Sequence, residues 1–176
     1  MATDEAAPAP GDVQFRIADR TDVDAMADAH RDSIRSLGAT HYPRAVVEEW
    51  AAVVDGHLYL QAMDRGEVFF IATTTGPNGP MILGFASDYR IDGTVHGVSA
   101  YVRGSAARRG IGTRLLTMAE TFGRTQGATA VHIEASLGAV DFYRANGFVA
   151  VSEGDVGLPS GFRMACVFMR KELQAG

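Results

Sequence analysis

The sequence predicts a mixed α/β fold in which helices flank a single sheet. Three observations carry this reading. Apolar residues recur at helical spacing in several segments, and runs alternating between apolar and polar residues lie between them. Only short turn clusters, such as residues 75–80 and 158–161, break the pattern. At 176 residues and 47% hydrophobic content, the chain can bury one core of ordinary proportions. A single domain over residues 13–173 is therefore expected, behind a small, acidic, proline-bearing tail at residues 1–12.

Residues 13–18 alternate as a first strand. Thr21, with Asp24 three positions on, reads as a capping box, and Val23, Met26, Ala27, His30, Ile34 and Leu37 follow on one helical face. Pro43 suits the first turn of a second helix, with Val46, Val47, Trp50 and Val53 as its apolar stripe. Residues 56–65 are ambiguous. Residues 68–74 and 81–91, split by the Gly-Pro-Asn-Gly-Pro turn, form an antiparallel hairpin, and residues 94–102 continue the sheet. After Gly110, Ile111, Leu115, Met118, Ala119 and Phe122 share a helical face, Glu120 and Arg124 pair on the outside, and Gly127 marks the stop. A strand over residues 130–136 leads to a short helix closed by Gly147, and residues 148–158 and 162–173 make a terminal hairpin. That hairpin offers an edge through which a homodimer could form.

The formal net charge of −5 argues against the phosphate attraction on which nucleic-acid binders depend. No apolar stretch reaches the roughly 18 residues of a membrane span, and the start lacks the basic and apolar runs of a secretory signal. A lone Cys166 leaves no internal disulfide, so a cytoplasmic setting is expected. The five histidines show no ligand spacing, so no metal is expected. Charge is uneven, however. From Gly93 to Ala119 there is no acidic residue, while Arg103, Arg108, Arg109 and Arg114 all fall in that window.

That window holds the segment Ala-Ala-Arg-Arg-Gly-Ile-Gly-Thr-Arg-Leu-Leu, residues 106–116, at a strand-to-helix junction. At such a junction several backbone amides lack intrahelical partners and the helix dipole adds positive charge, which makes an anion cradle. Gly110 and Gly112 would let a phosphate approach the backbone, with arginines at the rim. The alternative is an ordinary helix start with a solvated basic edge. The segment is not a P-loop, since no Lys-Ser or Lys-Thr follows the second glycine, and Leu115 stands where a dinucleotide motif needs a third glycine.

Residues 101–116 resemble the strand-to-helix signature of the GNAT superfamily of acyl-CoA-dependent N-acyltransferases, whose loop reads Gln/Arg-x-x-Gly-x-Gly/Ala. Residues 135–148 resemble its second signature, a short helix ending in Tyr-x-x-x-Gly-Phe, matched by Tyr143, Gly147 and Phe148. Two positions depart from the family pattern. Ala107 stands where Gln or Arg is usual, and Gly138 stands where similar members carry Asn.

The resemblance implies a central, mostly antiparallel sheet, flanked by helices on both faces, with a parallel strand pair that splays near Val102 and Ser136. Acetyl-CoA would lie in that gap. Its pyrophosphate would rest on Ala107, Arg108, Arg109, Gly110, Ile111, Gly112 and Thr113, and its pantetheine would pair with the backbone of Ala100, Tyr101 and Val102. Ser136, Phe142 and Tyr143 complete the implied cofactor contacts. Tyr143 would protonate the leaving thiolate, packing being its structural alternative. Candidates for the base are His96, Glu134 and, more remotely, Asp88, with a water-relayed path also open. Cys166 and Trp50 read as packing residues. His41 and Tyr42, between the first two helices, are the acceptor-side candidates. The implied activity moves an acetyl group from acetyl-CoA to a primary amine of a small molecule or peptide. The alternative is a non-catalytic acyl-CoA-binding regulatory module.

Overall fold

Residues 13–174 are described by a computed structural model, and the acidic tail read at residues 1–12 lies outside them. Strand β1 (Gln14–Ile17) leads into α1 (Val23–Gly38), α2 (Arg44–Ala52) and α3 (Gly56–Asp64). Strands β2 (Val68–Gly76), β3 (Gly79–Asp92) and β4 (Val95–Val102) follow, then α4 (Ile111–Thr125), β5 (Ala130–Ser136), α5 (Val140–Ala145), β6 (Val149–Gly157) and β7 (Arg163–Glu172). The strands form one sheet in the order β1-β2-β3-β4-β5-β7-β6. Every neighbouring pair is antiparallel except β4 and β5, which run parallel. A parallel pair needs a crossover, and α4 provides it.

Helices cover both faces of the sheet. On one face α1, α2 and α3 bury Met26, Ile34, Val47, Tyr59, Phe69 and Phe85 in a common cluster. On the other, α4 and α5 lie over clusters that include Leu115, Leu116, Val98, Val131, Tyr143 and Phe148. Each such side chain contributes on the order of 1.5–3 kcal/mol when fully buried.

Several local expectations are corrected. Residues 56–65 hold a helix, α3, because the Asp55 side chain caps the Leu58 amide at 3.1 Å and Tyr59 and Ala62 fall three apart on the buried face. No capping box starts α1. Asp22 precedes that helix without capping it, its carboxylate taken up by Arg16 at 2.7 Å and by the Asp19 amide at 2.8 Å. Pro43 stands one residue ahead of α2 rather than within its first turn. Leu37 and Val53, each 43% exposed, leave the stripes they were assigned to. Glu120 is not an outer residue. It is 4% exposed and held by Lys171 Nζ at 2.7 and 2.9 Å, with Arg124 3.9 Å away.

Candidate active site

The β4–β5 ladder is short. Val95 pairs with Ala130, His96 with Val131 and Gly97 with His132, and the pairing ends there. Yet β4 runs on to Val102 and β5 to Ser136. Over this last stretch β4 is laddered to β3 alone, through Ala86, Phe85 and Gly84, so its β5-facing amides and carbonyls carry no strand partner. Ala100, Tyr101 and Val102 thus line one edge of a widening gap, and Ser136 ends the opposite edge.

The basic loop lies at the mouth of this gap. Gly104–Ala106 form one 3-10 turn, anchored by the Asp32 carboxylate, which accepts from the Gly104 amide at 2.8 Å. Arg108 (φ 59°) and Gly110 (φ 78°) both adopt positive φ, which turns the chain sharply into α4. Gly110 precedes α4 with no side-chain cap, so the first-turn amides of Ile111, Gly112 and Thr113 lack intrahelical acceptors and are aimed outward. A Cβ on Gly110 would meet nothing within 4 Å, so the space beside it is open. An open cavity of about 410 Å³ borders the loop, lined by Val13, Phe15, Arg109, Gly110, Ile111 and Arg114. Arg114 lies over the Phe15 ring, 4.1 Å from its centroid. The Ala107 amide is turned inward, onto the Gly104 carbonyl at 3.3 Å.

Gly112 is constrained differently. A Cβ there would stand 3.1 Å from Phe142 and 3.4 Å from Val102, so its hydrogen lets α5 close against α4 and β4. Tyr143, next on α5, is 2% exposed and packs edge-on between Phe142 and Phe148. Its hydroxyl takes a hydrogen bond from the Ala100 backbone, which brings it to the splayed section of β4. Burial pushes the phenol far above its usual range, only partly offset by that amide, so it stays protonated at neutral pH.

On the opposite face of the gap, Tyr101 stacks on His30 with ring centroids 3.7 Å apart, and burial raises its phenol to about 12. His30 contacts the Tyr59 hydroxyl through Nδ1 at 2.7 Å, and burial depresses it to about 3. Ser99, two residues before Tyr101 on the same face, lies 2.8 Å from Ser87 Oγ to Oγ. Glu67, which enters β2, is raised by burial, while the Ser87 hydroxyl and Arg65 favour its charged form. Its field reaches Tyr89 and Tyr101, as does that of Glu134 on β5. Glu67, Ser87 and Ser99 were not singled out in the sequence. Only the β2–β3–β4 register brings them together.

The other predicted positions fall as follows. Glu134 is exposed on the Tyr101 face. His96 is not brought into the gap. It is 2% exposed at the closed end of the ladder, on the α4 face, with Nδ1 2.9 and 3.0 Å from the two Asp88 carboxylate oxygens. Asp88 lies beneath Gly123 of α4, where a Cβ would come within 2.6 Å of its carboxylate. Tyr42 is buried rather than open to an acceptor. Its hydroxyl accepts from the Leu137 amide at 2.7 Å and donates to the Ala165 carbonyl at 2.6 Å. His41 is exposed, and its ring fills the space that a Gly138 side chain would need, 3.1 Å from that Cβ. Among the described residues no group of three or more His, Cys, Asp or Glu side chains is placed to hold a metal ion.

Comparison with known proteins bears on this geometry. Residues 38–173 match the model of the acetyltransferase (GNAT) domain. A comparison with curated proteins gives no match. Among solved structures, a GCN5-related N-acetyltransferase from Rhodopseudomonas palustris is similar at 27% identity and a TM-score of 0.77, covering 98% of this chain and 100% of that one. The PaiA N-acetyltransferase from Thermoplasma acidophilum, in complex with coenzyme A, shares 18% identity at a TM-score of 0.72, with 92% and 99% covered. A phosphinothricin acetyltransferase from Sinorhizobium meliloti, in complex with acetyl-CoA, shares 18% identity at 0.65, with 93% and 90% covered. The last two likenesses concern the fold alone. With its two signatures at a splayed strand pair and a family match over most of its length, the chain belongs to the GNAT acetyltransferase family.

Proposed function

We propose that this protein is an N-acetyltransferase that moves an acetyl group from acetyl-CoA directly to the primary amine of a small molecule or peptide. The observation that carries this reading is the combination at one gap of an open amide cradle, an unladdered strand edge and a buried, protonated phenol. The cradle at Gly110 fits a diphosphate, because it offers outward amides, open space and arginines at its rim. The unladdered edge of β4 fits the amide-bearing pantetheine arm, which would pair with it as an added strand would. When bound, acetyl-CoA supplies an activated acyl group as a thioester.

The chain's own residues do the rest. A β4 amide beside the gap donates to the oxygen that becomes anionic as the amine adds. Tyr143 gives its proton to the departing sulfur. The acceptor enters from the Tyr101 face, where Glu134 and Glu67 attract a cationic amine. A buried lone cysteine, Cys166, whose thiol is raised chiefly by burial, supports direct transfer rather than an acyl-enzyme and fits a cytoplasmic setting.

The test is a thiol-release assay with acetyl-CoA over a panel of primary amines, small and peptidic. Amine-dependent release of free CoA is the expected outcome. Tight binding of acetyl-CoA with neither amine turnover nor hydrolysis would replace this reading by a non-catalytic acyl-CoA-binding module.

A further inference from the structure

The acceptor-facing side of β4 offers an amine no base of its own. Its residues there are Gly97, Ser99 and Tyr101, and burial keeps the Tyr101 phenol protonated up to about 12. The imidazole on this strand, His96, faces the opposite side and is tied to Asp88. What the face does present is a line of hydroxyls. Ser99 on β4 pairs in register with Ser87 on β3, their oxygens 2.8 Å apart, and Ser87 is fully buried. Ser87 in turn pairs with Phe69 on β2, and Glu67, two residues back from Phe69, is its diagonal neighbour on the same face. Diagonal cross-strand neighbours stand about 7–8 Å apart at the backbone, within reach of a long side chain. The Ser87 hydroxyl accordingly engages the Glu67 carboxyl.

Resting on the acetyl-transfer reading above, we infer that Glu67 is the proton acceptor of the reaction, reached from the gap through the hydroxyls of Ser99 and Ser87. The ammonium group of the acceptor passes one proton to Ser99 as Ser99 passes its own to Ser87 and Ser87 its own to the Glu67 carboxylate. The freed nitrogen lone pair forms the N–C bond, and the C–S bond of the thioester breaks with its electron pair on sulfur. Tyr143 protonates that sulfur and is restored by the second nitrogen proton. Glu67 releases the first proton to solvent, so that one proton leaves per turnover. The charged and titratable groups facing Glu67 are Arg65, Tyr59 of α3, Tyr89 of β3 and Tyr101 of β4, with Asp88 acting from the other face of the sheet. Arg65 favours the ionised carboxylate and Asp88 opposes it. The tyrosines are held protonated by burial.

The experiment is the pH dependence of kcat/KM for the full chain and for Glu67→Gln, Ser99→Ala and Glu134→Gln, with acetyl-CoA affinity measured on each as a control for folding. Glu67→Gln is expected to lose about 10²- to 10³-fold at neutral pH, in the range for a general base. Its rate should climb about tenfold per pH unit toward the acceptor's own pKa, because only the free amine then attacks. Ser99→Ala should lose about tenfold with acetyl-CoA affinity unchanged, and Glu134→Gln should raise KM for a cationic amine while keeping the acid limb of the parent. A Glu67→Gln profile superimposable on the parent's overturns the inference, as does an acid limb that disappears in Glu134→Gln instead. A parent protein that binds acetyl-CoA but acetylates no amine overturns the acetyl-transfer reading and this inference with it.

Discussion

Gly110 and Gly112 stand two residues apart and serve different ends. Gly110 holds a left-handed backbone beside open space, whereas Gly112 removes a side chain that would press on Phe142 and Val102. The Gly-x-Gly spacing was legible in the sequence, but the Phe142 contact was not, because it joins α4 to a helix about thirty residues further on. Ala107 shows the same limit, since its inward amide follows from the turn at Gly104–Ala106. Tyr143 is the residue on which the chemistry depends most. Tyr143→Phe keeps the ring packed between Phe142 and Phe148 and removes the hydroxyl, with its proton and its bond from the Ala100 backbone, so turnover should fall about 10- to 1000-fold while acetyl-CoA affinity stays within a few fold. Steady-state rates and a binding titration on one preparation check both halves.

At the scale of elements, the segment between α1 and α2 is bound to the far end of β5. Gly138 admits the His41 ring and the Leu37 carbonyl, both 3.1 Å from where its Cβ would be, and Tyr42 bridges the Leu137 amide and the Ala165 carbonyl. The sequence read Tyr42 as an acceptor-side residue, whereas its hydroxyl is turned into the fold. A hydroxyl that ties the segment between α1 and α2 to β7 and the turn after β5 has no local signature. Tyr42→Phe should lower the unfolding free energy by about 1 kcal/mol, the net contribution of a hydrogen bond at a part-buried amide. A shifted urea midpoint at unchanged slope is the check. His96 teaches the same lesson about strands. It was a base candidate in the sequence, but the depth of the β4–β5 ladder decides that it lies at the closed end. Helix α3 is ambiguous in the sequence because Leu58, Tyr59, Leu60, Ala62 and Met63 spread apolar character around the segment rather than along one stripe.

For the whole molecule, the mixed sheet, its splayed pair and helices on both faces were readable from element order and two signatures, whereas the polar face across β2, β3 and β4 was not. Stability also has a global acid dependence. His30 sits among Trp50, Tyr59, Phe85 and Tyr101 and is held neutral, at about 3 against about 6.5 for a free imidazole. The unfolded chain therefore binds more protons between these values. The contribution is complete above about pH 6.5 and is lost progressively as pH falls toward 3. Between pH 6.5 and 5, His30 alone should cost about 1.5 kcal/mol of stability. His30→Phe should flatten the slope of unfolding free energy against pH over that window, as denaturant titrations at each pH would record.

Titration calorimetry of acetyl-CoA into the parent protein and into Gly110→Val tests the central claim most directly. A branched side chain disfavours the left-handed backbone at Gly110 by about 1–2 kcal/mol, so the free loop relaxes away from it and must be returned to it on binding, at roughly tenfold in affinity. The account predicts saturable one-to-one binding to the parent and a Kd raised by that factor in the variant. No heat of binding to the parent, or equal affinity in the two proteins, would contradict it.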